Sequence, residues 1–192
     1  MSTEAPRTAH TPTTGFTLST LGPEPVGLEY LADTVRRLAA EHGDAPAVTV
    51  LGDRRVRGGA RRTDTVVTLT YRELDERARA VAAELQAACP TRARVAVLCP
   101  HDEHYVVAFL GCLYAGVIAV PLYAPELFRS QTRLRSVLRD STPGCVLTTS
   151  QVRPAVRTAL SGTGWQQGPV LHVDEVPAHR ASKWRRPPAA PD

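Results

Sequence analysis

Six consecutive residues, "CPHDEH" (Cys99–His104), place a thiol, two imidazoles and two carboxylates side by side. Those side chains could ligate a metal ion or shuttle protons. His101 and His104 are three residues apart, which would set them on adjacent faces of a helical turn. The spacing is not that of a zinc-binding HExxH helix, and the rest of the sequence offers no second ligand cluster. The bland interpretation is a polar helix start, with Asp102 and Glu103 complementing the positive end of the helix dipole. The expectation is therefore no catalytic residue, no cofactor-binding residue and no metal ligand.

Other stretches with chemical potential are weaker. "GDRRVRGGARRTD" gathers Arg54, Arg55, Arg57, Arg61 and Arg62 among three glycines. Asp53 and Asp64 flank the cluster, which reads as a solvated loop between two strands rather than a polyanion site. "GTGWQQG" (Gly162–Gly168) lacks the lysine and following helix of a phosphate cradle and reads as a turn. No serine sits in a nucleophile-elbow context. Cys89, Cys99, Cys112 and Cys145 include no CxxC pair and lie among apolar residues or at element edges. They read as reduced, cytoplasmic thiols behaving as small hydrophobes.

The elements that must position these residues follow from periodicity. Residues 1–25 are rich in Thr, Pro, Ser and Gly and read as a disordered tail. Leu28, Leu31, Val35 and Leu38 recur at helical spacing, with Gly43 as a stop. "PAVTVLG" and "TVVTLT" read as a hairpin around the arginine loop. Thr70 and Glu73 have capping-box spacing. Behind them Leu74, Ala78, Val81, Ala82 and Leu85 form an apolar stripe, while Arg72, Asp75, Glu76 and Arg79 cover the opposite face. That pattern predicts a surface helix on a sheet. "ARVAVLC", "VIAVPL", "GCVLTT" and "GPVLHVDEV" read as buried strands. "HDEHYVVAFLGCLYAG", "SQTRLRSVLRDS" (capped by Ser130) and "PAVRTAL" (Pro154 in its first turn) read as helices.

From Thr65 on, strands and helices alternate. The fold class is thus α/β, a largely parallel sheet flanked by helices. Residues 26–176 form its one domain, and 177–192 read as a proline-rich linker.

"YVVAFLGCLYAGVIAVPLYAP" (Tyr105–Pro125) spans 21 uncharged residues, the length of a membrane helix. Gly111 and Gly116 interrupt it, and Pro121 and Pro125 close it. A helix followed by a short buried strand therefore accounts for it without a membrane span. The N-terminus has no charged start followed by an apolar run, so no signal peptide is expected. A net charge of +4 and a pI of about 9.1 are too modest to argue for nucleic acid.

Several blocks in fixed order resemble the start of the adenylate-forming (AMP-binding, acyl-activating) enzymes. They are "TLTYRELDERARAVAAELQA", "RVAVLCP", "AFLGCLYAGVIAVPLYAP" and "RLRSVLRDSTPGCVLTT". The third block resembles most closely the fatty acyl-AMP ligases. That resemblance implies an incomplete N-terminal subdomain of the ligase fold. For the complete enzyme it implies ATP- and magnesium-dependent activation of a fatty acid to an acyl-adenylate, passed to the phosphopantetheine of an acyl carrier protein. In this family a tryptophan-and-proline linker like "WRRPPAAPD" leads into the strand that carries the phosphate loop. That loop, of the type T-S-G-S-T-G-x-P-K-G, is not in the sequence, nor are the acidic ribose and magnesium motifs or the catalytic lysine. No functional residue is carried over. ATP and magnesium are expected for the complete enzyme and not for this chain alone. The partners implied are the remainder of a ligase or an acyl carrier protein. Two readings stay open: a truncated or split ligase, inactive alone, and a non-catalytic binding or regulatory module built on the same scaffold.

Overall fold

The computed structural model describes residues 28–54, 63–122, 131–166 and 168–188. The expected tail, Arg55–Arg62 of the arginine loop and the Ser130 cap lie outside them.

Helix α1 (Leu28–Glu41) leads into an antiparallel hairpin of β1 (Pro46–Arg54) and β2 (Thr63–Thr70). Leu51 stands opposite Val66 and Thr49 opposite Thr68 on an open face, while Leu69 on the other face is buried. Thr70 then starts α2 (Tyr71–Ala88) with the expected capping box. Its hydroxyl accepts from the Glu73 amide at 3.3 Å, and the Glu73 carboxylate accepts from the Thr70 amide at 2.9 Å. Two amides that the helix cannot pair are satisfied this way. The Thr70 hydrogen bonds hold the Glu73 carboxyl below its ordinary pKa.

The chain then builds β3 (Arg94–Val97), α3 (Glu103–Ala115), β4 (Ile118–Pro121), α4 (Gln131–Ser141), β5 (Cys145–Thr148), α5 (Arg153–Ser161) and β6 (Val170–His172). The four strands form one parallel sheet in the order β4-β3-β5-β6. Period-two alternation sorts its side chains. Val95, Val97, Cys99, Cys145 and Leu147 join a core with α1, α2 and α3. Ala96, Leu98 and Val146 join a second core with α4 and α5. Both faces are covered, which is why β3 and β5 read as unbroken apolar runs.

Several expectations need correction. "TVVTLT" pairs in the expected hairpin, so of the strands counted in the alternation from Thr65 on, only the later four form the parallel sheet among the described residues. "GPVLHVDEV" is a strand only over Val170–His172 and then tightens into a 3₁₀ turn at Val173–Glu175. Gly111 does not interrupt the apolar run. It lies inside α3, where an added Cβ would stand 2.7 Å from Val81 Cγ1, so its role is close α2–α3 approach. Gly116 does end the helix, in the left-handed region at φ 71°. Among the described residues, no helix is long and apolar enough to cross a membrane.

Helix α2 keeps an exposed polar face at Arg72, Glu76 and Arg77, but it is covered more widely than expected. Ala80 and Ala83, off the apolar stripe, are buried, and so is Asp75, at 7% exposure. The Asp75 carboxylate accepts the Tyr114 hydroxyl at 3.0 Å and pairs with Arg79 at 2.7 Å. A buried carboxylate needs such partners. Burial, followed by the neighbouring Asp75 charge, pushes the Tyr114 phenol well above its ordinary pKa.

The second cover of α2 is the stretch expected as a linker. Residues Ala178–Lys183 form a 3₁₀ helix packed along α2. Arg180 pairs with Glu84, and Gln86 exchanges two hydrogen bonds with the Arg185 backbone, at 2.6 and 3.1 Å. Trp184 donates its indole N–H to the Tyr114 carbonyl at 2.7 Å. These contacts hold residues 178–188 against the domain as a strap.

Candidate functional site

In an open parallel sheet, ligands bind beyond the carboxyl ends of the strands, where successive connections leave in opposite directions. Here that point lies between β3 and β5. The chain passes from β3 to β4 on one side, then returns past β3 to β5 on the other. Cys99–His104 follows β3, Thr148–Ser150 closes β5, and His172–Glu175 closes β6. The parallel register sets Thr148 beside His172, so Ser150 and Asp174 fall side by side.

Asp102 caps α3, its Oδ1 accepting the His104 amide at 3.0 Å. His104 Nδ1 is shielded from solvent and has no aligned hydrogen-bond partner. Asp102 Oδ1 stands 3.3 Å from it and Glu103 Oε1 3.7 Å. The Asp102 carboxylate raises the His104 pKa above its ordinary value against the lowering effect of burial, and Glu103 and Asp174 add to the rise. Asp174 accepts the Ser150 amide at 2.8 Å and also its hydroxyl. Burial raises the Asp174 pKa, but the Ser150 hydrogen bonds outweigh it and the net shift is downward. Thr148 donates to the Leu98 carbonyl at 3.1 Å, while the buried Thr149 hydroxyl has no partner among the described residues. Cys99 is buried beneath this group; desolvation, then Asp102, push its thiol far above its ordinary pKa. Burial and the raised pKa both disfavour the thiolate.

The sequence cluster is therefore drawn together only in part. Ligand atoms of Asp102, Glu103 and His104 lie within 4.8 Å of one another and, among the described residues, are the donors that could jointly face a cation. His101 instead stacks on Tyr105, ring centroids 5.5 Å apart. The four cysteines are free and buried; burial pushes Cys112 up to about 12. Beyond β6, Arg153 donates to His172 Nε2 at 3.0 Å and pairs with Glu175. Ser150 and Asp174 were not legible as a pair, being 24 residues apart; only the strand register brings them together.

The carboxylates of Asp102, Glu103 and Asp174 would repel a triphosphate, so these residues do not fit the phosphates of ATP. They present a polar edge at the carboxyl end of the sheet.

An open α/β sheet with a polar switch point is the architecture of a nucleotide- or small-molecule-binding domain. The chain belongs to the AMP-binding enzyme family, whose family model matches residues 35–192. It is 36% identical over 156 residues to the long-chain-fatty-acid–AMP ligase FadD32 of Mycobacterium marinum, covering 81% of this chain and 24% of that protein. The FadD32 of Mycolicibacterium smegmatis is 40% identical over 154 residues, covering 80% and 24%. The crystal structure of a fatty acid AMP ligase from Legionella pneumophila superposes with a TM-score of 0.68 at 28% identity, over 83% of this chain and 26% of that one. The chain thus spans about a quarter of the length of the relatives it matches.

Proposed function

We propose that the chain is the N-terminal part of a fatty acyl-AMP ligase. The complete enzyme would activate a fatty acid with ATP and magnesium to an acyl-adenylate and pass the acyl group to an acyl carrier protein in the cytoplasm. This chain contributes scaffold to that reaction and does not perform it alone. The observation that carries the reading is the run of family blocks, matched to FadD32 at 36–40% identity over about a quarter of that protein's length.

The test is pyrophosphate release with ATP, magnesium and medium- or long-chain fatty acids. The chain alone is expected to give none. Joined to a segment supplying the phosphate loop, acidic motifs and lysine of such a ligase, it is expected to give fatty-acid-dependent release. Turnover by the chain alone would overturn the reading. The docked strap favours a second reading, a stably folded binding module, because it closes the domain with the chain's own residues. Failure of the joined protein, together with saturable binding of the chain to an acyl carrier protein, would favour that one.

A further inference from the structure

We infer that Trp184 is a positioning residue: it pins the exit of the chain from this domain and thereby sets where the segment that follows it begins. The inference rests on the reading above in one respect, that the following segment carries the phosphate-binding loop.

Trp184 touches two helices at once, α3 and α1. Its indole N–H donates to the Tyr114 carbonyl in the last turn of α3 at 2.7 Å. Its ring lies 5.7 Å from the Tyr114 ring. Arg36 of α1 stands over the ring, with the guanidinium carbon 4.8 Å from its centroid. That is a cation–π contact in partly desolvated surroundings. The Tyr114 side chain is itself fixed, since its hydroxyl bonds to Asp75, which Arg79 holds in turn. The anchor therefore sits on a buried polar chain from α2 to α3.

The residues on either side extend the hold. Before the tryptophan, Arg180 pairs with Glu84; after it, Gln86 of α2 brackets the Arg185 backbone and Arg186 pairs with Asp33 of α1. Pro187 then packs on Gly116, so closely that a Cβ there would stand 2.7 Å from the proline Cβ. Proline at 187 and 188 fixes φ and removes freedom just where the strap leaves the domain. The surface ion pairs are worth little each. The indole, with a part-buried hydrogen bond and two ring contacts, is the least replaceable of these holds.

A tryptophan that only stabilised the fold would change the fraction of active enzyme, hence apparent kcat, and leave KM alone. One that positions the phosphate-binding segment changes KM for ATP. In the joined ligase, Trp184→Ala is expected to raise KM for ATP about tenfold, the equivalent of roughly one buried hydrogen bond. Trp184→Phe, which keeps a ring and loses the donor, should raise it less. KM for the fatty acid should stay within twofold. An unchanged KM for ATP in Trp184→Ala, with a cooperative melt proving it folded, would overturn the inference. Should the joined protein form no adenylate, the functional reading fails, and amide hydrogen exchange in the 192-residue chain still decides the structural claim. Faster exchange at Arg185 in both variants, with β3 and β5 unaffected, supports it; unchanged Arg185 protection refutes it.

Discussion

His104 is the side chain whose protonation the structure sets most clearly. Its Nδ1 stands 3.3 Å from Asp102 and 3.7 Å from Glu103, and the charge of Asp174, in the turn after β6, acts on it as well. The helix dipole opposes a cation in a first turn, yet the carboxylates prevail and the folded pKa lies above the ordinary 6.5. A raised folded pKa contributes stability that is full below the unfolded value and is lost as pH rises through the folded one. His104→Gln is therefore expected to cost up to about 1 kcal/mol below pH 6.5 and nothing well above it. Denaturant titrations at a series of pH values measure this. A cost that grows with pH would mean that the imidazole is held neutral.

At the scale of elements, what could be read from the sequence is what is local. The Thr70–Glu73 box lies within one turn, and Asp102 and Gly116 bound α3 by types that suit only helix ends. The alternation of apolar runs with amphipathic stretches gave away the parallel sheet. Asp75 was misplaced because its partner, Tyr114, is 39 residues away, and a charged residue between arginines reads as solvated. The strap was misread because its prolines and arginines look like a linker until α2 is seen to receive them. Gly116 joins the two kinds of signal. It is a helix stop by sequence and, in space, the seat of Pro187. Gly116→Ala combines a left-handed φ of 71° with a 2.7 Å contact, so a loss of about 1–3 kcal/mol is expected in chemical denaturation. Pro187→Ala in the same background removes the contact and should restore part of the loss. If it restores none, the backbone conformation alone sets the cost.

For the whole molecule, the question is which surfaces the chain leaves open. The sheet is covered on both faces, and the strap covers α2. Exposed large apolar side chains among the described residues are Leu51 and Val66 on the hairpin and Ile118 on β4. Strand β5 is buried throughout and β3 is buried after Arg94, but among the described residues β4 pairs with β3 alone, and Ile118 is 48% exposed at that edge. An unpaired edge with an apolar side chain is a template for another strand, and natural proteins blunt such edges with lysine. The isolated chain is therefore expected to associate as its concentration rises, through this edge. Ile118→Lys should abolish the rise in weight-average mass seen by sedimentation or light scattering. The melting temperature should barely change, because a half-exposed side chain carries little of the core. Leu51→Lys provides the control on the other open surface. If it suppresses association and Ile118→Lys does not, the contact runs through the hairpin, and the β4 edge is already protected in the folded chain.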